Sequence, residues 1–429
     1  MARSIFALAA SGTTVRTEVL AGITTYLTMA YIVVVNPGIL ADAGIDHGAA
    51  FVATCLAAAI GSVAMGVFAN LPIALAPGMG LNAYFAYVVV KGMGFSWQVA
   101  LGAVFLSGVL FLIVSLLRVR EWLINAIPHS LKLGIGAGIG LFLGLIGLQA
   151  MGLVAASPAT MVTLGNLSQP ATLLSCLGFV IIAGLAARQV TGAILIGIVT
   201  TALLGIPLGL TKFQGVVDRP PSLAPTFLAM DILGALQPAV LVVVLTLFLM
   251  NVLDNAGTLI ATTQRAGLLT RDGRIPNLRE ALLADSGGAV VGAALGTSTT
   301  VSYIESASGI QAGGRTGLTA VVVGLLFLLT LFFAPLAMSI PAFATAPALV
   351  FVACMMMGTL REIDWEDATE FVPAAIIALS MPLTFSIATG IGLGFIVYAL
   401  TKLAAGRVAQ VPGAVWAIAL LSVVKFATM

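Results

Sequence analysis

Apolar runs of about 18 residues recur along this chain, the length an α-helix needs to cross the hydrocarbon core of a bilayer. They cover roughly residues 19–36, 50–70, 98–117, 131–152, 172–187, 190–209, 235–263, 279–296, 316–338, 341–360, 370–386, 388–404 and 411–427. Lipid offers the backbone no hydrogen bonds, so runs of this kind fold as helices that satisfy their own N–H and C=O groups. With 60% of residues hydrophobic and only 8% charged, little polar surface is left for a soluble domain, and the sequence predicts an all-α polytopic membrane protein. The formal net charge of +2 gives no reason to expect a nucleic-acid partner.

Two stretches break the pattern. One is "LPIALAPGMGLNAYFAYVVV", Leu71 to Val90, and the other is "GTSTTVSYIESASGIQAGGRTG", Gly296 to Gly317. Each follows two spans in its half of the chain and reads as Gly-containing extended residues running into a short helix. Irregular backbone at membrane depth survives only where it is buried or lines a cavity, and transporters built from repeats place such broken helices at equivalent positions of their halves. The expectation is about fourteen segments in two inverted seven-segment repeats, with two short extended segments in broken helices. A fifteenth apolar piece is read as a half-span or surface helix in the C-terminal part.

Basic residues orient the spans. Arg3 and Arg16 precede the first, "RVR" at 118–120 and Lys132 separate two others, and Arg265, Arg271, Arg274 and Arg279 crowd one loop, whereas residues 152–170 carry no Lys or Arg. The basic loops, and the N-terminus with them, are expected on the cytoplasmic side and residues 152–170 on the opposite face; Lys212 and Arg219 are the exception. The N-terminal apolar run is too short for a signal-peptide core, so the first span is expected to stay in the mature protein.

Ionisable groups within spans cost about 2.5–3.5 kcal/mol on insertion scales and are functional candidates by default. Asn251 and Asp254, three residues apart, share a helix face. Asp285 lies in "ALLADSGGAVVGAAL", Glu305 follows the Thr-rich run of the second broken segment, and Asn82 follows "APGMG" in the first. Blander roles exist: Asn82 as an interhelical hydrogen-bond former, Asp285 as a helix-end carboxylate. A carboxylate beside crossing extended segments, with Tyr84, Phe85 or Tyr303 to stack, suits a flat neutral heterocycle with alternating donors and acceptors better than an inorganic anion, which the carboxylate would repel. Cys55, Cys176 and Cys354 are far apart, and His47 and His129 lack metal-ligand spacing, so neither a disulfide nor a metal is expected. No nucleophile–base pairing suggests an enzyme. "LGIGAGIGLFLG" lacks the phosphate-loop spacing; Gly136, Gly140 and Gly144 fall at four-residue steps suited to close helix packing.

The stretches "GITTYLTMAYIVVVNPGIL", "NLPIALAPGMGLNAYFAYVVV", "LDNAGTL", "ALLADS" and "GTSTTVSYIESASGIQAGGRTGLTAVVVGLLFLL" resemble the AzgA-like purine permeases of the nucleobase-ascorbate transporter superfamily, nearly end to end. The resemblance implies a core domain (1–120 and 233–340) and a gate domain (121–232 and 341–429), alternating access by an elevator-like movement, and uptake of a purine base with protons across the cytoplasmic membrane. It implies no cofactor and a homodimer formed through the gate. By position, Glu305 matches the family's principal substrate-binding glutamate and Asn82 its partner; Asp254 and Asp285 match carboxylates implicated in transport. Substrate-binding positions are therefore expected at Glu305, Asn82, Asn251, Asp254, Ser298 and Tyr84, with Glu305, Asp254 and Asp285 as proton-coupling candidates. Asn251 departs from the aspartate of many relatives, and "NVLDNAGTL" is similar to the adenine permease branch. A carboxamide can serve adenine with its N–H and its C=O, which makes adenine the first expectation and guanine or hypoxanthine the alternative.

Overall fold

The computed structural model describes residues 6, 8, 11–116, 128–158, 160–268 and 275–427. Arg3, the "RVR" at 118–120, Arg271 and Arg274 lie outside the described residues. By contact the chain divides into two compact units, Met1–Arg118 with Leu174–Thr345 and Val119–Leu173 with Ala346–Met429.

Among the described residues eight helical stretches are long and apolar enough to cross a membrane, and Ala193–Gly205, Pro238–Val252 and Ala368–Leu383 are shorter apolar helices. With Leu278–Leu295 and the two broken segments they make the about fourteen segments read from the sequence, and Gly413–Ala427 is the further piece at the C-terminal end. The all-α fold class stands.

The first unit carries the broken segments. Helices α1 (Val15–Met29) and α2 (Ile32–Asp42) form one span interrupted at Ala30 and Tyr31, and α3 (His47–Ala64) follows, widening into a π-turn over Met65–Ala69. Strand β1 (Leu75–Pro77) then runs into α4 (Met79–Ala83), which continues as a π-helix over Tyr84–Gly92, and α5 (Trp97–Leu116) closes the half. Pro77 disfavours helix at Ala76 and so keeps this segment extended. In the second half of this unit, α10 (Pro238–Arg265) and α11 (Leu278–Leu295) lead to β4 (Thr300–Ser302), α12 (Ser306–Gln311) and α13 (Gly317–Thr330). Gly296 ends α11 at φ +100°, a left-handed conformation that glycine adopts without a Cβ penalty. The β-branched residues after it then favour extension.

The two halves exchange partners. Helix α5, after the first broken segment, packs on α11, before the second; α13, after the second, packs on α3, before the first. Strands β1 and β4 pair antiparallel in the register Leu75↔Ser302, Ala76↔Val301 and Pro77↔Thr300. Equivalent strands that run in opposite directions, each followed by a short helix, are what an inverted repeat requires. Pro77 stands opposite Thr300 at a non-hydrogen-bonded position, since the ladder bonds run from Gly78 N–H to Thr299 (2.9 Å) and from Tyr303 N–H to Ala74 (2.9 Å). Its missing N–H therefore costs no ladder bond.

In the second unit, α6 (His129–Ala150) uses its glycines on two faces. Gly134 and Gly138 approach α16 (Ala368–Leu383), and Gly140 and Gly144 approach Ala353, in the helix α15 (Ala342–Met357). Lys402, 2% exposed, bonds Glu370 at 2.6 Å and Gln410 at 3.2 Å, and Ser130 also donates to Glu370, so this buried charge is neutralised within the unit.

The halves of the first unit approach closely at Gly66 and Gly317. A Cβ on Gly317 would stand 1.8 Å from the Gly66 carbonyl oxygen, an overlap that only backbone movement relieves. Gly317→Ala should cost about 3 kcal/mol and lower the thermal midpoint of the detergent-purified protein by several degrees; an unchanged midpoint would contradict this packing.

Candidate functional site

Around the paired strands the backbone groups that face away from the ladder are closed by side chains. Ser62 Oγ accepts from Leu75 N–H (2.9 Å) and donates to Leu75 C=O (3.1 Å), Ser306 Oγ accepts from Ala74 N–H (3.0 Å), and the Tyr303 hydroxyl donates to Pro77 C=O (2.5 Å). Ser302 N–H donates to Asn255 Oδ1 (2.8 Å), and the Ser302 hydroxyl donates to both oxygens of Asp285 (2.8 and 3.0 Å).

Because the strands are antiparallel, the short helices leave from opposite ends, and the expected site residues divide accordingly. At one end Asn82 Nδ2 donates to Asn36 Oδ1 (2.9 Å), which Ser298 Oγ also approaches (3.4 Å), while Asn36 Nδ2 donates to Thr54 (2.8 Å) and Thr297 (2.9 Å). Asn36 thereby ties α2, α3, α4 and the segment before β4 to one another. At the other end Glu305, half-buried, accepts from the Tyr31 hydroxyl at Oε1 (2.7 Å), and Ser308 donates to the Glu305 carbonyl (2.7 Å). Helix α2 spans the two ends, with Tyr31 at its first turn and Asn36 further along. Asn82 and Glu305 thus share α2 but do not touch.

Helix α10 packs against both α4 and α12. Its Asn251 is fully buried and accepts at Oδ1 from Asn255 Nδ2 (2.6 Å). One turn on, Asp254 is exposed, and its carboxylate, that of Glu305 and the Tyr303 phenol lie within electrostatic reach of one another. Asp285, 0% exposed, is bound to Ser302. Tyr84 and Phe85 are 0% exposed, so in this conformation their rings are sealed. The structure narrows one expectation. Oδ1 of Asn251 already accepts from Asn255, whereas its Nδ2 has no partner and is the amide group left free for a ligand.

Four residues escaped the sequence reading: Tyr31, Asn36, Ser62 and Asn255. Asn255 had a signal, since it lies four residues from Asn251 on the same helix face. Asn36 had a weaker one, an amide before a proline within an apolar run.

A helical membrane protein whose two halves cross through paired half-strands, with amides and carboxylates gathered at the crossing, has the architecture of a transporter. Comparison places it further. The model of a permease family matches residues 16–393. The adenine permease AdeP of Escherichia coli (strain K12) is 49% identical over 425 residues, 99% of this chain and 96% of that protein. The guanine/hypoxanthine permease PbuG of Bacillus subtilis (strain 168) is 44% identical over 412 residues, 93% of each. Among solved structures, the transmembrane domain of a cyanobacterium bicarbonate transporter, BicA, superposes with a TM-score of 0.66 at 17% identity, covering 88% of this chain and 96% of that one, a likeness of fold. The chain belongs to this permease family, and the resemblance to the nucleobase-ascorbate transporters stands.

Asn36 is the hub of the first cluster. Asn36→Ala would leave the buried amide of Asn82 and the hydroxyl of Thr297 without that partner, at a cost of about 3 kcal/mol. The expected readout is a lower thermal midpoint than that of a substitution at an exposed position such as Leu329.

Proposed function

We propose that the protein is a proton-coupled purine nucleobase permease of the cytoplasmic membrane, taking up adenine first, with guanine or hypoxanthine as the alternative substrates. The observation that carries this reading is Glu305, a half-buried carboxylate held by Tyr31 beside the strand crossing, in a chain related over nearly its whole length to purine permeases. A carboxylate there accepts from a ring N–H or an exocyclic amine, and in a desolvated site such a charge-assisted bond outweighs a neutral one.

Substrate contacts are assigned to Glu305, Asn82, Asn251, Asp254, Ser298 and Tyr84. Of the proton-coupling candidates, Glu305 and Asp254 fit better than Asp285, whose two oxygens hold Ser302. All these residues fall within 1–120 and 233–340, the proposed core, which carries the base across by moving against a gate of residues 121–232 and 341–429. The N-terminus is assigned to the cytoplasm and the gate to a homodimer contact. Charged neighbours argue against an inorganic anion as cargo, since Glu305 and Asp254 would repel it.

Uptake of radiolabelled adenine by cells or vesicles should rise as the external pH falls and collapse with a protonophore; insensitivity to both removes the symport. Glu305→Ala should abolish binding. Asn251→Asp should shift preference towards hypoxanthine, whose ring N–H a carboxylate accepts, and an unchanged competition profile refutes the choice of adenine.

A further inference from the structure

The two carboxamides that flank the strand crossing each leave one polar atom without a partner, and the two atoms are of opposite kind. Asn82 leaves Oδ1, an acceptor, and Asn251 leaves Nδ2, a donor; both side chains are 0% exposed. The other buried side-chain atoms without a partner among the described residues are hydroxyls, which turn to give or take a hydrogen bond and so carry no fixed sign. A carboxamide can be turned over as well, but here its direction is dictated by groups that cannot reverse. The N–H of Ser302 can only donate, so the Asn255 atom it meets at 2.8 Å is Oδ1; Nδ2 of Asn255 then faces Asn251, and the Asn251 atom 2.6 Å away is Oδ1. What remains on Asn251 is the donor. On the other side Thr54 spends its one proton on the Ala50 carbonyl (2.6 Å), so it must accept from Asn36 Nδ2. Oδ1 of Asn36 consequently faces Asn82 and takes its Nδ2, and what remains on Asn82 is the acceptor. Helices α4 and α10, which carry the two, pack together, yet the orphans do not bond each other although their signs match.

We infer that Asn255 and Asn36 are positioning residues that fix a code of one acceptor, Asn82 Oδ1, and one donor, Asn251 Nδ2. The code selects a heteroaromatic base with an exocyclic amine beside an unprotonated ring nitrogen, as in adenine, over one with a carbonyl beside a ring N–H, as in hypoxanthine. Asn82 accepts from the amine and Asn251 donates to the ring nitrogen. Hypoxanthine would set acceptor against acceptor and donor against donor, a repulsion that discriminates more strongly than a lost contact. Both atoms are sealed from water, so a mismatch cannot be relieved by solvent. This rests on the purine-permease reading and adds which edge of the base that site reads and which residues outside it set the reading.

The test is equilibrium binding of adenine, hypoxanthine and unsubstituted purine to the purified full-length protein, followed by the same panel on Asn255→Ala. Purine, which keeps the ring nitrogens and lacks the amine, should bind about tenfold more weakly than adenine, and hypoxanthine about a hundredfold. Asn255→Ala frees Asn251 to turn over, so the adenine-to-hypoxanthine affinity ratio should fall about tenfold. A merely structural role would weaken both bases in proportion and leave the ratio where it was, which overturns the positioning role. Equal wild-type affinity for adenine and hypoxanthine overturns the code, and if Asn255→Ala does not fold, the ratio is read on Asn255→Ser, for which the same two outcomes decide. Failure of the wild-type protein to take up any purine brings down the permease reading and this inference together, whereas adenine uptake without discrimination removes only the inference.

Discussion

A two-stranded sheet of three residues a side cannot close its own outer edges, and at membrane depth an open edge has neither water nor lipid to satisfy it. The surrounding helices supply what is missing. Ser62 closes both backbone groups of Leu75, Asn255 closes Ser302, Ser306 closes Ala74 and Tyr303 closes Pro77. Each of these polar groups is tolerable in an apolar bundle because its partner is a backbone group that would otherwise be orphaned, so the cost of one offsets the cost of the other. The polar lining proposed as a binding site is therefore the same lining that lets the broken backbone exist.

The acidic residues divide on the same principle. Glu18 and Asp285 are both 0% exposed and both consumed by the fold. Glu18 accepts from the N–H groups of Arg315 (2.9 Å) and Thr316 (3.3 Å) and from the Thr319 hydroxyl (2.6 Å), clamping the turn after α12 onto the start of α1. Asp285 fixes Ser302 and with it the register of β4. Asp254 is exposed and Glu305 half-buried, held at one oxygen by Tyr31.

Sequence alone disclosed the broken segments, because Gly, Pro and clustered β-branched residues inside an apolar region have a local meaning. It singled out Glu305 and Asp254 as candidates, because a carboxylate in a span is expensive wherever its partner lies. What it could not disclose was pairing: Asn36 with Thr297, Ser62 with Leu75 and Asn255 with Ser302 are brought together by tertiary structure, and an isolated Asn or Ser in a helix gives no hint of which distant backbone group it serves. Glu18 is a further case: beside Arg16 at the edge of the first span its local sequence carries no sign of enclosure, yet it is 0% exposed.

The halves are alike in architecture and unlike in chemistry. Where the first half contributes the amides Asn36 on α2 and Asn82 after its broken segment, the second adds the carboxylates Asp254 and Glu305 to its own amides, Asn251 and Asn255. Strict symmetry would present two identical edges to a ligand, which suits one that is itself two-fold. A purine is not: its edges differ in donors, acceptors and ring size. Inverted repeats give the crossing strands, and with them the means of exposing a site to either side in turn, whereas recognition of an asymmetric base requires that the repeated positions diverge. The amide directions enforced by Ser302 and Thr54 carry that divergence down to single atoms, an acceptor from one half and a donor from the other.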